Sequence, residues 1–454
     1  MRIGGSVLLL LFGLMSALGQ RVPGSVTPAP GPPLTLEEAL RQTLHNNPRI
    51  LQAKSGLEVA AGEQIALRSA IYPKALLGTV AGDQGGQRSR SSGNQPFIFA
   101  YGVFTQPLFQ AGIPAAARRG DIGIVLAQQQ LNVTVADELH KARLAFYRAL
   151  YERDLESLGR AQRERLEANV TSEQSLYEAG RSERGAFMAA TLLAREVNPQ
   201  IESARTAYGN AVLDLAQSLG LSLGREARLP VPEGKLEFEN VNLRWQDEVE
   251  RARRERADLK LARLLVRAAR EDQRLAAADY YPIIQAVVAG DAIPVTGIYR
   301  DSGGSSQVTD NTVANEVGAG VAYTWRVIDN GKVGAIVAQQ RVARAANELQ
   351  LRRLEENVPR ELARLQNTLG AITARYRSLL NAARVAETNV TSVQENRAQG
   401  LASVLDFRTA ENDLLTAQRG LLTAIYQQKL ALAAWDRATG RYFQFSEKSA
   451  GKPQ

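Results

Sequence analysis

With 454 residues, 44% of them apolar and 22% charged, the chain can bury several ordinary cores or one elongated one, and wholesale disorder is excluded. Its 55 basic residues are interleaved with 47 acidic ones, as in "RAQRERLEANV", so the formal charge of +8 reflects solvated helix faces rather than a nucleic-acid-binding stripe. No cysteine occurs, which excludes disulfides and, on chemical grounds, a lipid anchor on a mature N-terminal cysteine.

Residues 1–19 read as a secretory signal peptide: Arg2, an apolar run from Val7 to Met15, then small Ala17 and Gly19, with cleavage expected before Gln20. The apolar run is shorter than the roughly 20 residues a spanning helix needs. Residues 20–33, which include "PGSVTPAPGPP", read as a Pro-rich extended linker. No later segment is an uninterrupted apolar run of roughly 18 residues. A mature chain that crossed a membrane would therefore do so as β-strands in a closed barrel.

From there the chain is written twice. "EANVTSEQSLYEAG" (Glu167 to Gly180) returns as "ETNVTSVQENRAQG" (Glu387 to Gly400), 220 positions later. Tyr72-Pro73 matches Tyr281-Pro282 at an offset of 209, and Gly112 matches Gly331 at 219. The sequence divides into repeat 1 over 34–220, a connector over 221–244 expected at mid-height, repeat 2 over 245–440 and a tail over 441–454.

Each repeat opens with a helix ended by Tyr-Pro, Leu36 to Ile71 and Trp245 to Tyr280, the first interrupted at Asn47-Pro48 and the second predicted to be unbroken. Strands are expected over about 74–110 (Lys74 to Gln87, Phe97 to Phe109) and about 283–328 (Ile283 to Tyr299, Val313 to Ile328). The polar loops "RSRSSGNQ" and "RDSGGSSQVTDN" join them. Phe97, Phe99, Tyr101 and Val103 alternate, as do Val317, Ala319, Val321, Tyr323 and Trp325. Aligning Gly112 with Gly331 puts the two alternations one residue out of phase, so the face meant for lipid is left open.

Long helices follow, from Gly112 to Ala179 and from Gly331 to Gln399, about 100 Å each at ~1.5 Å per residue. In the second, Leu351, Leu354, Val358, Leu362, Leu365, Leu369, Ile372, Tyr376, Leu379, Ala383, Ala386 and Val390 form a heptad-like seam that demands partner helices. Pro359 inside it predicts a kink or a register adjustment. The echoes are the ends of these helices, each closing on a glycine suited to a left-handed stop. Return helices are expected from Glu183 to Leu219 and from Ala402 to Thr439, past tip turns at about 180–185 and 399–403. A return helix and a leading helix placed end to end equal one long helix. Four strands cannot close a barrel, so strands that span a membrane require several copies of the chain.

Little in the sequence offers chemistry. "DNGKVG" lacks the first glycine and the hydroxyl of a phosphate loop. His45, at a helix start, and His140, on a charged helix face, read as solvated or capping residues, and no metal site or cofactor is expected. "DSGG" at Asp301 to Gly304 lacks a suitably placed histidine, although an exported hydrolase using Ser302 stays open as one class. The N-x-T sequons at Asn132, Asn169 and Asn389 fall within predicted helices.

"LTLEEALRQTLHNNP", the two Tyr-Pro stops, "VFTQPLFQAG" and "QGLASVLDFRTAENDLLTAQ", in this order and spacing, make the chain similar to the TolC-type outer-membrane efflux proteins over about Leu34 to Gly440. The resemblance implies a mainly α fold with a membrane β-barrel part. The duplicated helix, β-hairpin, long helix, helix unit would form, as a homotrimer, a 12-stranded β-barrel continued by a 12-helix α-barrel. It implies a non-enzymatic, passive exit duct in the outer membrane with a periplasmic extension, serving tripartite efflux or type I secretion. Its partners would be a periplasmic adaptor, an inner-membrane transporter and outer-membrane lipid. A soluble periplasmic coiled-coil scaffold or adaptor is the alternative. In the family, carboxylates past the second turn narrow the periplasmic aperture; Asp406 stands at the first such position, Thr409 at the second, and Ala186 at the counterpart in repeat 1. The tip turns carrying Gly180, Arg181, Arg184, Gly400 and Ser403 correspond to the adaptor-docking surface.

Overall fold

The computed structural model describes residues 30–84, 95–222, 228–295, 298–302, 305–309 and 312–445. The signal peptide over 1–19, most of the linker and the end of the tail lie outside the described residues.

The chain begins with β1 (Pro30–Leu34), α1 (Leu36–Asn46), α2 (Pro48–Arg68), β2 (Lys74–Gln84), β3 (Gln95–Phe109), α3 (Ile113–Glu178), α4 (Arg184–Glu196) and α5 (Asn198–Ser218). It continues through β4 (Leu229–Pro232), α6 (Trp245–Glu255), α7 (Ala257–Ala278), β5 (Ile283–Val295), β6 (Ile298–Ser302), β7 (Ser305–Thr309), β8 (Thr312–Thr324), α8 (Lys332–Ala398) and α9 (Val404–Thr439). Local chemistry sets most of these ends. The Thr35 hydroxyl accepts from Glu38 N at 3.3 Å to start α1, and Asn47 Oδ1 accepts from Arg49 N at 2.9 Å to start α2. The two oxygens of Asp329 accept from Gly331 N (3.0 Å) and Val333 N (2.7 Å), so "DNGKVG" serves as the cap of α8.

Four strands form one antiparallel sheet in the order β2-β3-β5-β8. Below it the helices α2, α3, α7 and α8 stand side by side in the same order, each packing on the next. The junction is bonded twice: Gln106 Nε2 donates to Ile71 O at 3.1 Å, and Trp325 Nε1 to Tyr280 O at 3.2 Å, one below each Tyr-Pro stop. In the lower half the row changes to α4 and α5, then α3, α9 and α8. The 66-residue α3 and 67-residue α8 run through both levels.

At mid-height short elements replace long ones, and the same joint is built twice. Gly220, at φ +75°, closes against the α1–α2 break, where an added Cβ would lie 2.3 Å from Asn46 O. Gly440, also at φ +75°, closes against the break at Arg256, where a Cβ would lie 2.9 Å from Arg256 N. Only glycine satisfies both the left-handed backbone and the close approach. Two buried amides pin the extended segments around this level. Gln428 exchanges bonds with Glu239 N (2.9 Å) and O (2.7 Å), and Asn132 does the same with Phe445 N (2.8 Å) and O (3.2 Å). Asn132, read as a sequon, is therefore a clamp.

The seam of α8 is buried where predicted: Val358 and Leu362 join Val249, Leu259 and Trp435 in one cluster, and Val390 joins Leu166, Leu193 and Phe407 in another. Each such buried side chain contributes about 1.5–3 kcal/mol. The helix runs on through Pro359.

Six expectations need correction. The second leading helix is broken, because Arg256 adopts an extended backbone (ψ 124°) where Gly440 docks, and its guanidinium bonds Asp258 (2.8 Å) and Glu361 (2.6 Å). The first return helix is broken at Val197, since Pro199 sits in the first turn of α5. The end of the 20–33 linker is β1, paired in parallel with β4, which lies in the 221–244 connector. The loop from Arg300 contains the paired strands β6 and β7, and β8 ends at Thr324 rather than Ile328. His140 is half-buried with Nδ1 2.9 Å from the Tyr442 hydroxyl, not on a solvated face.

Candidate functional site

Two regions bear on function: the helix tips and the sheet. At the first tip the Gly180 and Arg181 amides donate to Tyr177 O (2.9 Å) and Leu176 O (2.8 Å), with Gly180 at φ +68°. At the second, the Gly400 and Leu401 amides donate to Arg397 O (2.9 Å) and Asn396 O (2.8 Å), with Gly400 at φ +77°. Both long helices thus end in the same double-bonded stop.

Ser403, itself exposed, caps α9. Its hydroxyl accepts from Asp406 N at 3.2 Å, while Asp406 Oδ2 accepts from Ser403 N at 2.8 Å. Asp406 is exposed, and the hydroxyl and amide of Ser403 hold its carboxyl below the usual carboxylate range. Among the described residues Asp406 bonds only within its own turn, to Ser403, and makes no ion pair. Arg181 and Arg184 are exposed, and neither makes an ion pair among the described residues. Arg184 is the first residue of α4, so the helix begins inside the turn expected at 180–185.

Beneath these exposed residues is a buried knot that sequence reasoning missed. Arg397, on α8, meets Glu173, on α3, at 2.8 Å, and both side chains are almost fully buried. Ser182 Oγ donates to the other Glu173 oxygen at 3.1 Å, and the guanidinium lies 5.7 Å from the ring centre of buried Phe407. The signal was present in the echoes. Glu173 aligns with Val393 and Arg397 with Tyr177, so the contact is made by letters that differ between the two copies. Above it Arg165, itself partly exposed, donates to both oxygens of buried Glu411 at 3.0–3.2 Å.

The sheet supplies the other surface. The register fixes which residues share a face: Leu77, Gly102, Gly290 and Val317 stand opposite one another across the four strands, and so do Gly78, Tyr101, Asp291 and Glu316 on the other face. Strands β2 and β8 are its free edges. Among the described residues no helix is long and apolar enough to cross a membrane, and no group of three or more His, Asp or Glu is placed to hold a metal ion. "DSGG" falls on β6 and on glycines outside the described residues. What the arrangement offers is a wall: a sheet continued by a row of helices, with lateral edges on both sides.

Residues 249–441 match a family model described as outer membrane efflux protein. No curated protein matches the sequence. Among solved structures the chain is similar to the outer membrane protein VceC from Vibrio cholerae, at 17% identity and a TM-score of 0.70, over 89% of this chain and 96% of that one. It is also similar to the Campylobacter jejuni CmeC outer membrane channel, at 11% identity and a TM-score of 0.73, over 91% and 87%. The open-state Neisseria gonorrhoeae MtrE outer membrane channel matches at 15% identity and a TM-score of 0.67, over 89% and 88%. These matches bear out the resemblance seen in the sequence: residues 249–441 match the outer membrane efflux protein model, and the fold is shared along nearly the whole chain with solved outer-membrane channels.

Proposed function

We propose that three copies of this chain form a passive exit duct in the outer membrane, with a periplasmic extension that docks to an adaptor and an inner-membrane transporter. The observation that carries it is the shared order of strands and helices. The sheet β2-β3-β5-β8 and the row α2, α3, α7, α8 leave the same two sides open at both levels. A four-stranded sheet with free edges cannot stand in hydrocarbon. Its β8 edge and the β2 edge of the next copy are complementary, and such a head-to-tail contact closes a ring when the rotation permits. Three copies would supply twelve strands, above the smallest known barrels of about eight. In this reading the halves 34–220 and 245–440 are duplicates, 221–244 is part of a mid-height belt and 1–19 is removed on export.

Exposed apolar residues on the helical edges support the assembly. Val342 and Leu349 lie exposed on α8, and Val59 and Ile65 on α2, the two ends of the row among the described residues. The mass of the detergent-solubilised protein, combined with recording in planar bilayers, tests the proposal. A trimeric mass with single-channel conductance is expected. A water-soluble monomer without conductance would instead indicate a periplasmic scaffold.

The tips are then the periplasmic aperture and docking surface: Asp406 from three copies lines the entrance, and Gly180, Arg181, Arg184, Gly400 and Ser403 shape the turns offered to the adaptor. Asp406→Ala is expected to change cation block or conductance, and unchanged block and conductance would remove it from the aperture.

A further inference from the structure

The sequence alternations left open which side of the sheet meets lipid, and the strand register separates the two sides. On one side stand Leu77, Phe104, Val288, Val317, Val321 and Tyr323. Among the described side chains of the sheet, that side carries no charge, and its one amide, Gln106, is bonded to the chain below the sheet at Ile71 O. The opposite side carries Lys74, Gln285, Asp291 and Glu316, with Asp291 directly facing Glu316 across β5 and β8. A lipid-facing charge costs up to about 2–4 kcal/mol near the bilayer midplane for a cation and less for a carboxylate. Two carboxylates side by side repel each other unless water screens them. The charged side is therefore the wet one.

The aromatic residues of the wet side fit this assignment. Tyr101 lies flat across the neighbouring strand, so close that a Cβ on Gly78 would fall 2.4 Å from its ring, and Phe99 stacks on it with centroids 5.7 Å apart. The Tyr101 ring thus lies against the sheet instead of standing off it. On the uncharged side Leu77 is 85% exposed and Val317 76%, against 59% for Leu76 and 46% for Val80 on the charged side. Strands of 11 to 15 residues are long enough for the roughly 9–11 that cross a bilayer.

Resting on the duct reading above, we propose that the side bearing Leu77, Phe104, Val288, Val317, Val321 and Tyr323 contacts the acyl chains of the membrane, and that the side bearing Asp291 and Glu316 lines the water-filled bore.

The chain has no cysteine, so single cysteines can be introduced without a background. Leu77→Cys, Val317→Cys and Val321→Cys on one side, and Val80→Cys, Glu316→Cys and Gly318→Cys on the other, would each be labelled with bimane in the full-length protein and reconstituted into phosphatidylcholine vesicles. Loss of fluorescence with brominated acyl chains at 77, 317 and 321, and with aqueous iodide at 80, 316 and 318, is the expected result. The reverse pattern, or equal quenching on both sides, overturns the assignment while leaving the membrane duct standing. Protein that does not sediment with vesicles and is quenched only by iodide overturns both. Three positions on each side keep the result decisive if one variant fails to fold.

Discussion

Gly220 and Gly440 close the two mid-height joints, whereas Gly180 and Gly400 close turns in open space, although all four have positive φ. An L side chain in this region costs about 1–2 kcal/mol. Gly220→Ala and Gly440→Ala add an overlap with backbone, so they are expected to lower the thermal midpoint of the assembled protein further than Gly180→Ala and Gly400→Ala. Equal shifts would mean the joints relax. His140 makes the same level sensitive to pH. Burial lowers its pKa, and Arg437 and Arg143 lower it further against the opposing Asp137. The unfolded chain then binds this proton more readily than the folded one, so stability falls as pH drops through about 6.5. His140→Gln is expected to flatten that part of a stability-versus-pH curve.

Among elements, the tips depend on one buried pair. Glu173→Gln leaves Arg397 charged and enclosed, and breaking such a pair costs roughly 3–5 kcal/mol. Faster amide hydrogen exchange through residues 173–187 and 397–407 is expected, with the double replacement Glu173→Met and Arg397→Met less severe than Glu173→Gln alone. Much of the element plan was legible: Pro48 and Pro73 stop helices by covalent geometry, and the seam from Leu351 to Val390 declares a buried face by its spacing. The break at Arg256 was not, since arginine is a good helix former and the interruption comes from the docking of Gly440, a contact between distant parts of the chain. β1 was hidden by its prolines, because a short strand paired along one side needs few amide donors. Asp406 was found as a carboxylate near a turn, but its bond to Ser403 was missed although Ser-x-x-Asp is a capping pattern. The tip knot is made by residues at which the echoes differ, so the letters they share do not point to it.

In the whole molecule, α8 is an edge at both levels, with α2 on the far side above and α4 and α5 on the far side below. Charge placed on that edge strikes assembly before folding. Val342→Glu and Leu349→Glu together are expected to give monomers in detergent with near-unchanged helix content by circular dichroism; an intact trimeric mass would show that this flank is not the contact. The same helix has a mechanical consequence. It is gripped at Val358 and Leu362, both fully enclosed, beside Pro359, which removes one rung of its hydrogen-bond ladder. From there to Ala398 it extends about 60 Å as a stiff rod. A swing of about 5° at this fulcrum would carry the far end about 5 Å sideways. A leverage of roughly this size means that the position of the far end depends on how tightly the middle is held as well as on the Glu173–Arg397 pair beside it.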